Sequence, residues 1–202
     1  DATVNTIYDQ FEINDFDNGS GVYDKSENEL MQSDGLTGKF IAATTGDLST
    51  HTGACTIITV SKHTAASFKS NEFLYSGNSI SGFRFYYVSG SRFLFRIGAS
   101  PRLDCDNVAV TFDNNIHMLV GTYDGSETAA GVNVYEDDMT TALSSSNSET
   151  GTYTNAVMFN NRNSIGYGGS TSGTDFQGLI YETHIFNKEL SETERETAKE
   201  IL

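Results

Sequence analysis

Short apolar runs alternate along the chain with clusters of Gly, Asn, Asp and Ser, and only the last dozen residues show a helical period. A strand puts successive side chains on opposite faces and needs turn residues every few positions, so this punctuation predicts an all-β domain. Strands are predicted at Lys39–Ala43, Cys55–Ser61, Glu72–Tyr75, Ser81–Val88, Arg92–Ile97, Val108–Phe112, Ile116–Tyr123, Val132–Glu136, Ser164–Tyr167 and Gln177–Phe186. About ten strands with turns between them point to a sandwich or barrel. The Ser- and Thr-rich stretch from Ala142 to Asn155 reads as a loop.

The clearest hairpin runs from Gly82 to Val88, turns at Ser89-Gly90-Ser91 and returns from Arg92 to Ile97. Period-two alternation puts Phe83, Phe85, Phe93, Phe95 and Ile97 on one face. A turn symmetric about Gly90 pairs Arg84 with Arg96, Tyr86 with Leu94 and Val88 with Arg92 on the other. Like charges directly opposite cost a few tenths to about 1 kcal/mol, so the arginine pair needs an acidic neighbour or an anionic ligand. At the C-terminus, Ser191-Glu192-Thr193-Glu194 is a capping box opening a short helix to Leu202, whose few apolar positions (Ala198, Ile201, Leu202) predict packing on the sandwich edge.

Composition adds bounds. The 202 residues suit one domain, 1–202, and 37% hydrophobic content suffices for a core. A formal charge of −15 repels phosphate, which argues against general nucleic-acid and anionic-membrane binding. No apolar run approaches the roughly 20 residues that span a bilayer, so a soluble chain without membrane insertion is expected. Cys55 and Cys105 lack the spacing of a zinc or redox motif. A disulfide and two buried thiols both stay open, because a bridge needs Cα atoms within about 7 Å.

Three stretches in order resemble the laminin G-like branch of the concanavalin A-like lectin/glucanase superfamily. They are Phe16-Asp17-Asn18-Gly19-Ser20-Gly21 with Val22-Tyr23-Asp24; Phe112 to Gly125 with its Tyr123-Asp124-Gly125 turn, followed by Val132-Asn133-Val134-Tyr135; and Ser164 to Gly168, Asp175 to Glu182 and Ile185 to Ser191. The resemblance covers roughly Phe11 to Leu202. It implies a jelly-roll sandwich of two curved antiparallel sheets. The family commonly has Trp near the strand held here by Ile116-His117, and this chain has no Trp, so ligand stacking falls to Tyr or Phe.

Many laminin G-like domains hold calcium on acidic loop residues, which makes Asp15, Asp17, Asp24 and Asp175 the candidates here. The Asp15-Phe16-Asp17-Asn18-Gly19 spacing supplies alternate carboxylates and a turn, but the twelfth position is Ser26, so an EF-hand is excluded. Catalytic signatures are thin. There is no G-x-S-x-G elbow, and Glu12 to Asp17 has Asn14 at the Asp position and Asp17 at the terminal Glu position of a laminarinase-type E-x-D-x-x-E strand. A lyase-like set could draw on Arg84, Arg96, Tyr86, His117 and Tyr167, without the lyase strand motifs.

The expectation is therefore a non-catalytic carbohydrate-recognition or adhesion module of an extracellular, cell-surface or virion-surface protein, with an anionic glycan as the sharper ligand. Arg84 and Arg96 would bond an acidic sugar bidentately, and Tyr86 and Tyr167 would stack on it. An Arg96→Ala change is then expected to abolish binding at no cost in stability. The alternatives are a structural or protein-interaction domain of a fibre, decoration protein or adhesin, and a polysaccharide lyase or hydrolase.

Overall fold

The computed structural model describes residues 52–63, 71–77, 83–89, 92–155, 162–166 and 176–201, together with the backbone of six short strands before residue 44. It is an antiparallel β-sandwich. One sheet has seven strands in the order β1 (Ala2–Thr3), β4 (Val22–Asp24), β5 (Glu29–Met31), β16 (Gly178–Phe186), β7 (Cys55–His63), β12 (Ile116–Tyr123) and β13 (Val132–Glu136). The other has nine, in the order β14 (Ser146–Thr150), β11 (Arg102–Ala109), β10 (Arg92–Gly98), β9 (Arg84–Ser89), β8 (Glu72–Gly77), β15 (Arg162–Ile165), β6 (Phe40–Ala43), β3 (Phe16–Asn18) and β2 (Thr6–Ile7). The all-β sandwich expected from the sequence is the fold, and a single helix, α1 (Glu192–Ile201), closes the described chain.

The core between the sheets is aromatic. Phe83, Phe85, Phe93, Phe95 and Ile97, the inner face read from alternation, are all fully buried. Their rings meet edge to face, with Phe85 and Phe93 at 4.5 Å and 80° and Phe83 and Phe95 at 4.8 Å and 69°, the geometry ring quadrupoles favour. Opposite them lies Gly121 of β12, where a Cβ would come within 2.8 Å of Phe85 and 2.9 Å of Phe95. The glycine lets the rings reach the facing backbone.

Strand β7 is buried on both sides over most of its length. That is why Cys55-Thr56-Ile57-Ile58-Thr59-Val60 reads as a nearly continuous apolar run and not as a half-buried alternation. Its outer side is covered by α1. Ile58, Met118, Val120, Tyr135, Met139 and Leu190 form a second cluster, with Phe186 and Ala198 packed against it. The helix therefore lies on the face of the seven-stranded sheet, where its sequence predicted packing at an edge. Arg195 explains how so few apolar positions suffice: its guanidinium lies 4.0 Å from the centre of the Tyr135 ring and donates to the carbonyls of Met139 (3.0 Å) and Leu190 (2.7 Å). The capping box forms, with the Glu194 carboxylate accepting the Ser191 N–H at 2.9 Å and Ser191 Oγ accepting the Glu194 N–H at 3.4 Å.

Two strand readings are corrected. The strand placed at Val108–Phe112 runs earlier, as β11, and ends at Ala109, with Asn107 in the left-handed region at φ 56°. The loop expected from Ala142 to Asn155 contains β14, which pairs with β11 from Asp106↔Ser146 to Arg102↔Thr150.

Candidate functional site

The outer face of the nine-stranded sheet follows from the hairpin pattern. Register places Arg84 opposite Arg96 and Tyr86 opposite Leu94, as the sequence predicted. The third pair differs, since a register shift between Arg92 and Phe93 sets Arg92 against Ser89 in place of Val88.

The acidic neighbour that the arginine pair requires comes from β11. Asp104 lies opposite Arg96, so Arg84, Arg96 and Asp104 form one row across three strands. Asp104 Oδ1 accepts from Arg96 Nε at 2.6 Å, and Oδ2 accepts from Arg96 Nη2 at 3.0 Å and from Arg102 Nε at 2.9 Å. Such paired, charge-assisted bonds are the strong kind and offset the repulsion between facing arginines. The Asp104 side chain is only 5% exposed, while that of Arg102 is 33% exposed. Burial, followed by the charges of Arg96 and Arg102, pulls the Arg84 guanidinium below its ordinary pKa. For Arg96 burial acts the same way, but the bonds to Asp104 outweigh it and the net shift is upward.

Two arginines thus share one carboxylate, with Arg84 in the same row, on a chain whose formal charge is −15. Beside them a separate fork, Arg92 Nε to Asp106 Oδ1 at 2.9 Å and Nη2 to Oδ2 at 2.5 Å, is neutral overall. Arg102 and Asp104 were not found from sequence. The signal was present in Arg102-Leu103-Asp104-Cys105-Asp106, which alternates charged and apolar positions, but it counts only once β11 is placed beside β10.

Tyr86 does not fit the stacking role expected of it. It is 5% exposed and lies flat on Phe73, with centroids 4.4 Å apart and planes at 9°. Register sets Phe73 opposite Tyr86, so the two rings complete each other and, with Leu94, form a small apolar cluster. The ring has no open face for a sugar. Tyr167 lies outside the described residues.

The lyase-like set is not brought together. His117 belongs to β12 of the other sheet, where Nδ1 lies 2.7 Å from Asp137 Oδ2 and Nε2 lies 2.8 Å from Asp113 Oδ1. Burial would lower its pKa, yet the bonds to Asp113 and Asp137 prevail and raise it, while Asp113 falls to about 2 through its bonds to His117 and Asn115. His63 is a buried core histidine, paired with Glu72 at 2.7 Å, and His184 bonds Glu182 at 2.8 Å.

Of the calcium candidates, Asp17 lies in β3 of the nine-stranded sheet and Asp24 in β4 of the seven-stranded sheet, while Asp15 and Asp175 fall outside the described residues. Among the described residues no group of three or more His, Cys, Asp or Glu side chains could hold a metal ion. Cys55 and Cys105 are both buried and unbridged, on strands of different sheets. Burial pushes the Cys55 thiol upward and that of Cys105 up to about 11, so neither is a thiolate near neutral pH.

No family model matches the sequence, and no curated protein matches it. Solved structures do match the fold. Trypanosoma rangeli sialidase in complex with sialic acid aligns at a TM-score of 0.67 and 14% identity, over 98% of this chain and 31% of that one. The binding domain of botulinum neurotoxin serotype G aligns at 0.64 and 14%, over 97% of this chain and 50% of that one. A structure of botulinum neurotoxin type C, whose cell entry is described as dependent on two ganglioside molecules, aligns at 0.62 and 11%, over 99% of this chain and 51% of that one. The chain therefore spans between about a third and a half of these structures. At such identity the likeness shows the fold alone, a β-sandwich. Among the described residues no helix is long and apolar enough to cross a membrane.

Proposed function

We propose that the chain is a carbohydrate-recognition module of a surface-displayed or exported protein, laminin G-like in its branch of the fold, and that it takes an anionic glycan on the outer face of the nine-stranded sheet. The observation that carries this reading is the convergence of Arg96 and Arg102 on one buried aspartate, with Arg84 opposite Arg96 in the same row. Two guanidinium groups on one carboxylate suit an anionic partner, and guanidinium matches the planar carboxylate of a uronate or sialic acid, and an ester sulfate, through paired N–H donors. The neighbours lend support, since sialic acid and gangliosides are named in their descriptions. Those whole proteins are longer than this chain.

Recognition rests on hydrogen bonding and charge, with no part for the Tyr86 ring. Calcium held by Asp15, Asp17, Asp24 and Asp175 is a separate element of the proposal. Both are tested by a broad glycan array, run once with calcium and once after chelation. The arginine face predicts retention of acidic glycans over neutral ones in both conditions, whereas loss on chelation would assign recognition to the acidic loops. No retention in either condition, from folded protein, overturns the reading in favour of a structural or adhesion role.

A further inference from the structure

Two arginine–aspartate forks stand side by side on β10 and β11, and they differ in one respect. Asp106 serves Arg92, whereas Asp104 serves both Arg96 and Arg102 and is almost wholly withdrawn from solvent. A guanidinium has five N–H donors. Arg96 gives two of them to Asp104 and Arg102 gives one, so most donors of both side chains remain outside this contact. Long side chains lose rotamer freedom when fixed, and a binding site whose arginines are already held does not meet that cost again on binding.

We propose that Asp104 is the positioning residue of the anion-binding face. It holds Arg96 and Arg102 in set orientations, so that their remaining donors receive the oxyanion of an acid group on the glycan. This rests on the glycan reading above and specifies how its ligand is held: two guanidinium groups share one carboxylate, so one positive charge of that trio is left for an acid group of the glycan. The idea makes a prediction of opposite sign to simple electrostatics. Replacing an aspartate by its neutral amide makes the face more positive, which by charge alone tightens anion binding.

The test measures the affinity of the wild-type protein, Asp104→Asn, Asp104→Glu and Asp106→Asn for a uronate hexasaccharide from alginate and for a sulfated hexasaccharide from heparin. Thermal melts establish that each variant is folded. The expected result is that Asp104→Asn weakens binding tenfold or more, that Asp104→Glu recovers part of the loss, and that Asp106→Asn, with the same change of charge, leaves affinity unchanged or up to twofold tighter. Should Asp104→Asn bind as tightly as Asp106→Asn, or more tightly, Asp104 only neutralises charge and the proposal is overturned, while the glycan reading stands.

Side-chain NMR of the wild-type protein gives a second readout that does not depend on the variants folding. Fixed arginines give dispersed, slowly exchanging Nε–H signals for Arg96 and Arg102 before ligand is added, and the hexasaccharides shift them. Averaged, rapidly exchanging signals contradict positioning. If neither hexasaccharide shifts any arginine signal, the glycan reading falls and the proposal falls with it.

Discussion

On the seven-stranded sheet the outward residues Ile58, Met118, Val120 and Tyr135 are roofed by α1, whereas on the nine-stranded sheet the outward row is Arg84, Arg96 and Asp104. Both surfaces use an arginine, and the contrast lies in what it bonds. Arg195 is buried on backbone carbonyls and an aromatic ring, all within the chain, so its donors serve the fold. Arg96 and Arg102 converge on one carboxylate, two formal positive charges on one negative. The first surface is finished by the protein, and the second is the face proposed to take an anionic glycan.

Removing Arg195 is the strongest way to break this contrast. Arg195→Ala leaves two buried carbonyls without their charged donor and is expected to lower stability by about 3 kcal/mol in a chemical-denaturation experiment. Glycan affinity of the folded fraction should stay unchanged. Next comes Arg96→Ala, which leaves buried Asp104 with Arg102 alone and is expected to cost about 2 kcal/mol as well as binding. This corrects the expectation from sequence that Arg96 could be removed at no cost. Arg102→Gln separates the two effects: a partly exposed ion pair contributes little, so stability should fall by less than about 1 kcal/mol while binding to acidic glycans is lost.

Smaller effects sharpen the comparison on the helix side. Ser191→Ala removes the cap of α1 and is expected to cost about 1 kcal/mol, read as a lower melting temperature with no change at the arginine face. The pH dependence also belongs to this side, where Asp137 meets both His117 and, through its carbonyl, Lys199 of α1. A neutral imidazole has one N–H, so only the imidazolium donates to Asp113 and Asp137 together. Because the folded pKa of His117 is raised, its contribution is complete below the unfolded value of about 6.5 and is lost as pH rises through the folded value. Melting temperature should therefore decline on passing from pH 6 to 8, less steeply in His117→Gln.

Much of the fold was legible because burial leaves a pattern. The hairpin from β9 to β10 showed its inner aromatic face and its arginine pair by alternation alone, and β12 and β13 lie within the bounds their apolar runs predict. Strand β14 left no such pattern. Its residues, Ser146-Asn147-Ser148-Glu149-Thr150, are all exposed, and it is a strand through backbone pairing, which side-chain periodicity does not record. The site was half legible for the same reason. Sequence put Arg84 opposite Arg96 and called for an acidic neighbour or an anionic ligand, but which acid lies beside them depended on the strand after the hairpin. Burial of Tyr86 was hidden likewise, since Phe73 covers its ring from β8 through tertiary register.

The most direct test of the central claim is binding of folded wild-type protein and Arg102→Gln to matched acidic and neutral oligosaccharides at one ionic strength. The account predicts that the wild-type protein binds the acidic member of each pair and that Arg102→Gln loses it with its melting temperature nearly intact. Equal binding of acidic and neutral sugars, or acidic binding that survives the loss of Arg102, would contradict it.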